Sequence, residues 1–178
     1  LIAFAVGPMD VVTYESIPAN DVRKRPIPLR GFAAKGKGKL LDYALKNTGP
    51  ILALLESYFG IAYPYDKLDI IAVPDFSAGA MENVGVVTFR DWLLLIDEKT
   101  APARQKRAYA YVMAHELAHQ WFGNLVTMPW WDDLWLNEAF ASWMESIVIR
   151  DFAPSYKAEL ATVQTSLYAM GTDSKVSA

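Results

Sequence analysis

His115 and His119 are the only histidines in this 178-residue chain, and they stand four positions apart in His115-Glu116-Leu117-Ala118-His119. On a helix, such a pair lies on one face a turn apart, so both imidazoles can reach a single metal ion. A bare HExxH pattern recurs by accident, but both copies of a scarce residue falling inside it is a much stronger signal. After eighteen intervening residues comes Glu138, which can supply a third ligand. A two-histidine, one-carboxylate set is what catalytic zinc uses when one position is kept for water. The ion lowers the pKa of that water from about 15.7 toward roughly 7. Glu116, one residue out of the ligand stripe, is placed to accept the proton and pass it to a departing amine. The expected ligands are therefore His115, His119 and Glu138 around one Zn2+, with Glu116 as general base, and the chemistry is hydrolysis. Metal-bound imidazoles normally hydrogen-bond outward as well. Ser142 and Glu145, four and seven residues after Glu138, share its helix face and are the candidates for that role. The competing reading is that these are packed or solvated helical residues, with Glu138 merely facing the positive end of its helix.

Two helices have to position these groups. Residues 103–122 carry apolar residues at helical spacing, with Thr100 as a possible cap, Pro102 at the start and Gly123-Asn124 as the stop. A loop containing Pro129 leads to a second helix expected over residues 134–150, with Glu138 near its beginning. Upstream, residues 1–14 and 27–32 read as strands, and a Gly/Lys loop at 35–39 leads into a helix over 40–59 that Gly49-Pro50 should kink or split. Short apolar runs at 68–73, 84–89 and 92–96 read as three strands of one sheet, the last two joined by a tight turn at Arg90-Asp91. The pattern gives an α+β chain, with residues 1–98 mainly sheet plus one helix and residues 99–178 helical.

At this length one domain is expected, and about two-thirds of its surface can be buried on folding. Hydrophobic residues make up 53% and charged residues 21%, a globular balance, and no apolar run is long enough for a membrane span. A formal charge of -3 argues against a nucleic-acid partner for the whole chain. With no cysteine, disulfides, thiol catalysis and thiolate metal sites are excluded together. The chain starts at Leu1 with a strand-like segment and ends in a polar, weakly periodic stretch at 162–178, so it is expected to be an excised piece.

The HExxH segment, the eighteen-residue interval and Asn137-Glu138, together with Gly79-Ala80-Met81-Glu82-Asn83 about thirty positions upstream, resemble the zinc aminopeptidases of the aminopeptidase N type, a gluzincin group. The resemblance runs from the first strand to about Phe152 and includes Trp130-Trp131 and Trp135-Leu136. It implies a thermolysin-like catalytic domain, an N-terminal mixed β-sheet packed on zinc-binding helices. It implies that Gly79, Ala80, Met81, Glu82 and Asn83 form an extended edge against the substrate backbone. In that arrangement Glu82 grips the free α-amine of a peptide, and Gly79 allows close backbone approach. It also implies flanking domains, and an oxyanion-stabilising tyrosine beyond Ala178, since Tyr156 and Tyr168 come too early. The family pattern has Gly where this chain has Ala139. The implied activity is release of N-terminal residues from peptides. The rivals are a zinc endopeptidase, a scaffold domain that only binds metal, and an epoxide hydrolase, whose representatives carry Gly at the position of Ala80.

Two further signals are discounted. Residues 31–38 nearly spell a phosphate-binding loop but end in Gly38, without the hydroxyl that would hold magnesium. Arg23-Lys24-Arg25 with Lys35, Lys37 and Lys39 is basic but lacks interleaved aromatics. Five of the six tryptophans (Trp121, Trp130, Trp131, Trp135 and Trp143) cluster around the metal motif, either as core or as a partly exposed patch.

Overall fold

A computed structural model describes residues 3–176. β1 (Met9–Ile17) pairs antiparallel with β2 (Ile27–Ala34), and the register opens at Met9 opposite Ala34. The strand expected over residues 1–14 therefore starts later. Residues 3–8 have no strand opposite them, and residues 1–2 lie outside the described residues. Strict alternation in β2 turns Ile27, Leu29, Gly31 and Ala33 into the core.

A 3-10 turn over Gly38–Leu41 leads into α1 (Asp42–Phe59), which crosses back so that β3 (Leu68–Val73) lies parallel to β2. Gly31 makes this crossover tight: a Cβ there would stand 3.0 Å from Cδ1 of Leu41 and 3.2 Å from Cδ1 of Leu45. Of the kink or split expected at Gly49-Pro50, the split does not occur. Thr48, Ile51, Leu52 and Leu55 on both sides of Pro50 are buried, and this packing holds the helix in one piece despite the missing N–H.

β4 (Ala80–Met81) and β5 (Val86–Arg90) complete a five-stranded mixed sheet in the order β1-β2-β3-β5-β4, with β5 parallel to β3 and β4 antiparallel to β5 at the edge. The third strand expected at 92–96 is instead a helical turn, α2 (Asp91–Leu94), which buries Leu93 and Leu94. A five-residue apolar run fits either conformation, and here tertiary burial decides. Arg90, expected in a tight turn, ends β5 and holds the preceding loop. Its guanidinium donates to the carbonyls of Phe76 (2.9 Å), Ser77 and Ala78 (3.2 Å).

The second half is helical: α3 (Ala103–Ala118), α4 (Trp135–Phe152) and α5 (Ala158–Val176). α3 starts after Pro102 without a side-chain cap, so Thr100 does not serve as one. It ends four residues before the expected position, at the turn that carries His119. Residues 162–176 of the tail read as weakly periodic belong to the helix α5, and residues 177–178 lie outside the described residues. The core is continuous from Leu29, Ile70 and Phe89 in the sheet, through Leu45, Leu52 and Leu55 of α1, to Met113 and Leu117 of α3 and Met144 of α4. α3 is thereby clamped between α1 and α4, and the histidine pair sits at its C-terminal end. The molecule is α+β, as expected.

Candidate metal centre

His115 and His119 occupy successive turns at the end of α3, and their Nε2 atoms lie 3.1 Å apart. Glu138, in the first turn of α4, brings Oε2 to 3.0 Å from Nε2 of His115 and Oε1 to 3.7 Å from Nε2 of His119. One ligand atom from each residue lies within 4.8 Å of the others. Ligands 2.0–2.1 Å from a tetrahedral ion stand about 3.3 Å from one another, so these separations match a shared small cation. The donor set fits zinc in kind as well, with two imidazole nitrogens and one carboxylate. His119 is buried and His115 half-buried, while the Glu138 side chain is 64% exposed. The triad thus opens to solvent on one side.

The far side of each ring explains its orientation. His115 Nδ1 faces Oε2 of Glu145 at 3.1 Å. His119 Nδ1 faces the carbonyl of Phe122 at 3.2 Å and Oδ1 of Asn137 at 3.1 Å. Carboxylate and carbonyl oxygens only accept, so each ring donates from Nδ1 and turns the Nε2 lone pair inward. Two lone pairs meeting at 3.1 Å repel unless a proton or a metal cation lies between them. Of the two outer candidates, Glu145 makes such a contact. Ser142 is exposed, makes no hydrogen bond to either imidazole, and lines a cavity of about 760 Å³ between α3, α4 and α5.

Glu116 is buried, and its Oε2 has no hydrogen-bond partner among the described residues. Burial pushes its carboxyl up to about 8, opposed by His115 and reinforced by the charges of Glu82, Glu138 and Glu145. For His115, burial works against the imidazolium. The hydrogen bond to Glu145 and the charges of Glu116, Glu145 and Glu138 outweigh it and push the group up to about 9.

Residues 79–83 run beside this centre, and of them only Ala80 and Met81 belong to the sheet edge. The carbonyl of Gly79 accepts from the Arg90 amide at 2.8 Å, and Ala80 and Met81 form β4. Asn83 reaches Oγ1 of Thr88 at 3.4 Å. The Glu82 main-chain oxygen accepts from Nδ2 of Asn124 (2.8 Å) and Nε2 of Gln120 (3.1 Å), and its Oε1 lies 3.4 Å from Nδ2 of Asn137. No contact with Glu82 is expected of these three amides from the sequence, where Asn124 is read only as part of a helix stop and Asn137 only as the neighbour of Glu138. Their only signal was position, one and five residues after His119 and one before Glu138. Gly123, expected only as part of a helix stop, also bears on this centre. With φ +122° it adopts a backbone that side chains disfavour, and a Cβ there would overlap Oδ1 of Asn137 and meet Nδ1 of His119 at 3.3 Å.

The discounted signals have local explanations. The amides of Gly36 and Gly38 donate to Oδ2 of Asp10 at 2.8 and 3.0 Å, so the phosphate-loop look-alike has its own carboxylate. Arg23 is buried against Glu56 at 2.7 Å, and Arg25 pairs with Asp66 at 2.6 Å. Trp121 is core, stacked on Phe59 at 5.1 Å, whereas Trp130, Trp131, Trp135 and Trp143 are half or more exposed. Among the described residues no helix is long and apolar enough to cross a membrane.

Comparison with known proteins shows the family. Residues 43–177 match the model of the peptidase family M1 domain. The chain is 47% identical over 156 residues to Aminopeptidase M1-A of Oryza sativa subsp. japonica, covering 88% of this chain and 17% of that protein. It is 45% identical over 167 residues to Aminopeptidase 2 of Candida albicans, covering 94% of this chain and 17% of that protein. With the Puromycin-sensitive aminopeptidase of Caenorhabditis elegans it shares 44% identity over 157 residues, 88% of this chain and 17% of that protein. The chain thus spans about one-sixth of the length of these relatives. On the match over three-quarters of its residues and on identities well above 40%, the chain belongs to the M1 peptidase family.

Proposed function

We propose that this chain is the metal-binding part of a zinc aminopeptidase that hydrolyses the N-terminal peptide bond of peptides. The observation that carries the reading is the convergence of the two Nε2 atoms and the Glu138 carboxylate beside a buried carboxylate, Glu116, whose Oε2 is unpartnered. His115, His119 and Glu138 are the ligands. Zinc held there supplies Lewis-acid chemistry, polarising a carbonyl oxygen and making water acidic enough to act as a nucleophile near neutral pH. Glu116 takes the proton of the attacking water at Oε2 and returns it to the departing amine nitrogen. Its burial beside three other carboxylates suits a group that must both accept and release a proton near neutrality. Glu82 binds the protonated α-amine of the substrate, and the edge at residues 79–83 lies along the peptide backbone. Glu145 holds the His115 ring. Residues 1–178 form one thermolysin-like domain in this reading, and flanking domains of the same protein contribute the oxyanion donor and part of the amine site.

An endopeptidase would use the same triad without Glu82. The contact between Glu82 and Asn137, itself bonded to His119, favours the aminopeptidase. The test is Glu116→Gln. Zinc content should remain near one per chain by elemental analysis, while hydrolysis of aminoacyl amides falls by about 100-fold or more, the usual share of a general base. Near-normal turnover would overturn the assignment.

A further inference from the structure

β4 is only two residues long, and its pairing with β5 ends at Met81 opposite Thr88. Glu82 is the next residue, so the sheet ladder does not fix it. What holds it comes from the helical half. Nδ2 of Asn124 and Nε2 of Gln120 converge on its main-chain oxygen at 2.8 and 3.1 Å. Gln120 is fully buried, and the same Nε2 also donates to the carbonyl of Glu116 at 3.2 Å, so its orientation is set by the metal-bearing helix itself. Asn124 is fixed in turn, because its own N–H donates to the carbonyl of His119 at 3.0 Å. At the side chain, Asn137 spans the remaining gap. Its Oδ1 accepts from Nδ1 of His119 at 3.1 Å, and its Nδ2 stands 3.4 Å from Oε1 of Glu82.

We propose that Gln120, Asn124 and Asn137 form an amide clamp that sets the position of Glu82 relative to the metal triad, making them positioning residues for the choice of a free peptide N-terminus. This rests on the reading of Glu82 as the amine-binding carboxylate. The physical need is clear. A carboxylate selects an ammonium one residue from the scissile bond only if its distance from the metal is held, and a misplacement of about 1 Å can cost about 100-fold. A side chain at the loose end of a two-residue edge strand has no such constraint of its own. Two neutral amide donors on the backbone oxygen supply it without adding a charge that would compete for the substrate ammonium. Gln120 and Asn124 are bonded to main chain and leave the Glu82 carboxylate to the ligand.

The experiment compares L-leucinamide with N-acetyl-L-leucinamide by calorimetry on the zinc-loaded chain carrying Glu116→Gln, so that bound amide is not turned over. With the clamp intact the free amine should bind about tenfold tighter or better, the worth of one charge-assisted hydrogen bond. Adding Gln120→Met, which keeps the volume, and Asn124→Ala should bring the ratio close to one while zinc stays at one per chain. Asn124→Leu nearly keeps the shape and removes the donor without adding a charge, and it carries the test alone if the Gln120 variant does not fold. A ratio unchanged by Asn124→Leu overturns the clamp. Equal or absent binding of the two amides before any clamp substitution overturns instead the reading of Glu82 on which the clamp rests.

Discussion

Oε2 of Glu145 accepts a hydrogen bond from Nδ1 of His115 at 3.1 Å, across the seam between α3 and α4. Glu138, two turns earlier on α4, faces the opposite nitrogen of the same ring at 3.0 Å. One helix therefore carries both the carboxylate that converges with the two imidazoles and the carboxylate that orients the His115 ring. Glu145→Ala should weaken zinc binding by about 10- to 100-fold, the range found for such outer partners. Glu145→Gln should cost less, because its amide oxygen still accepts. Competition with a chromophoric chelator measures both, and Ser142→Ala, which removes no bond to either imidazole, is the control with no expected effect.

Gly123 is the second site where a small change should act at a distance. At φ +122° an alanine is strained by about 1–3 kcal/mol, and its Cβ would displace Asn137 and press on the His119 ring. Gly123→Ala is expected to lower the melting temperature and, in the folded fraction, to reduce aminoacyl-amide hydrolysis by about 100-fold through misplacement rather than loss of any catalytic group. Wild-type turnover in a folded Gly123→Ala protein would show that the Asn137 bridge is dispensable.

These two residues show what the chain discloses before folding and what it does not. His115, His119 and Glu138 were legible because helical spacing is local: i and i+4 share a face whatever surrounds them, and Glu138 follows at a recognisable interval. Glu145 was legible for the same reason, as a residue on the Glu138 face. Gln120, Asn124 and Asn137 were not, because an amide declares its partner only when the edge at Ala80–Met81 is laid against the end of α3. The fold divides along the same line. The strand at Leu68–Val73 and the helices that carry the triad came from periodicity, whereas residues 92–96 and the continuous helix through Pro50 were decided by burial against distant elements.

Asp69 gives a pH-dependent prediction away from the centre. It is buried on β3, accepts two bonds from Arg30 at 2.8 and 2.7 Å, and accepts a third from Lys67 at 2.7 Å. Burial opposes the carboxylate, but these partners outweigh it and hold the group below its ordinary range. A depressed carboxylate contributes stability above its unfolded pKa of about 3.9 and loses it as pH falls through the lower folded value. Asp69→Asn should therefore destabilise the chain at pH 7, by about 1.5 kcal/mol given that both cations are partly solvated. The difference in melting temperature from wild type should close as the pH is lowered below about 4. A gap that stays constant with pH would assign the loss to packing.

Chelation should reveal the repulsion that the triad contains. With zinc at about 1,000 times its dissociation constant, binding adds about 4.1 kcal/mol, so removal by a chelator should lower the melting temperature and one equivalent of zinc should restore it. The sign of the pH dependence follows from His115. In the metal-free chain Glu145 and the neighbouring carboxylates push its imidazole up to about 9, so the bound proton stabilises the fold below the unfolded value of about 6.5. That contribution is lost as the pH rises toward 9. Zinc must displace the same proton, so it binds more weakly where the proton is held. The melting-temperature gap between zinc-loaded and chelated protein should accordingly widen from about pH 6.5 to 9, measured at fixed free zinc. A gap that narrows over this range would mean that the His115 proton does not compete with the metal.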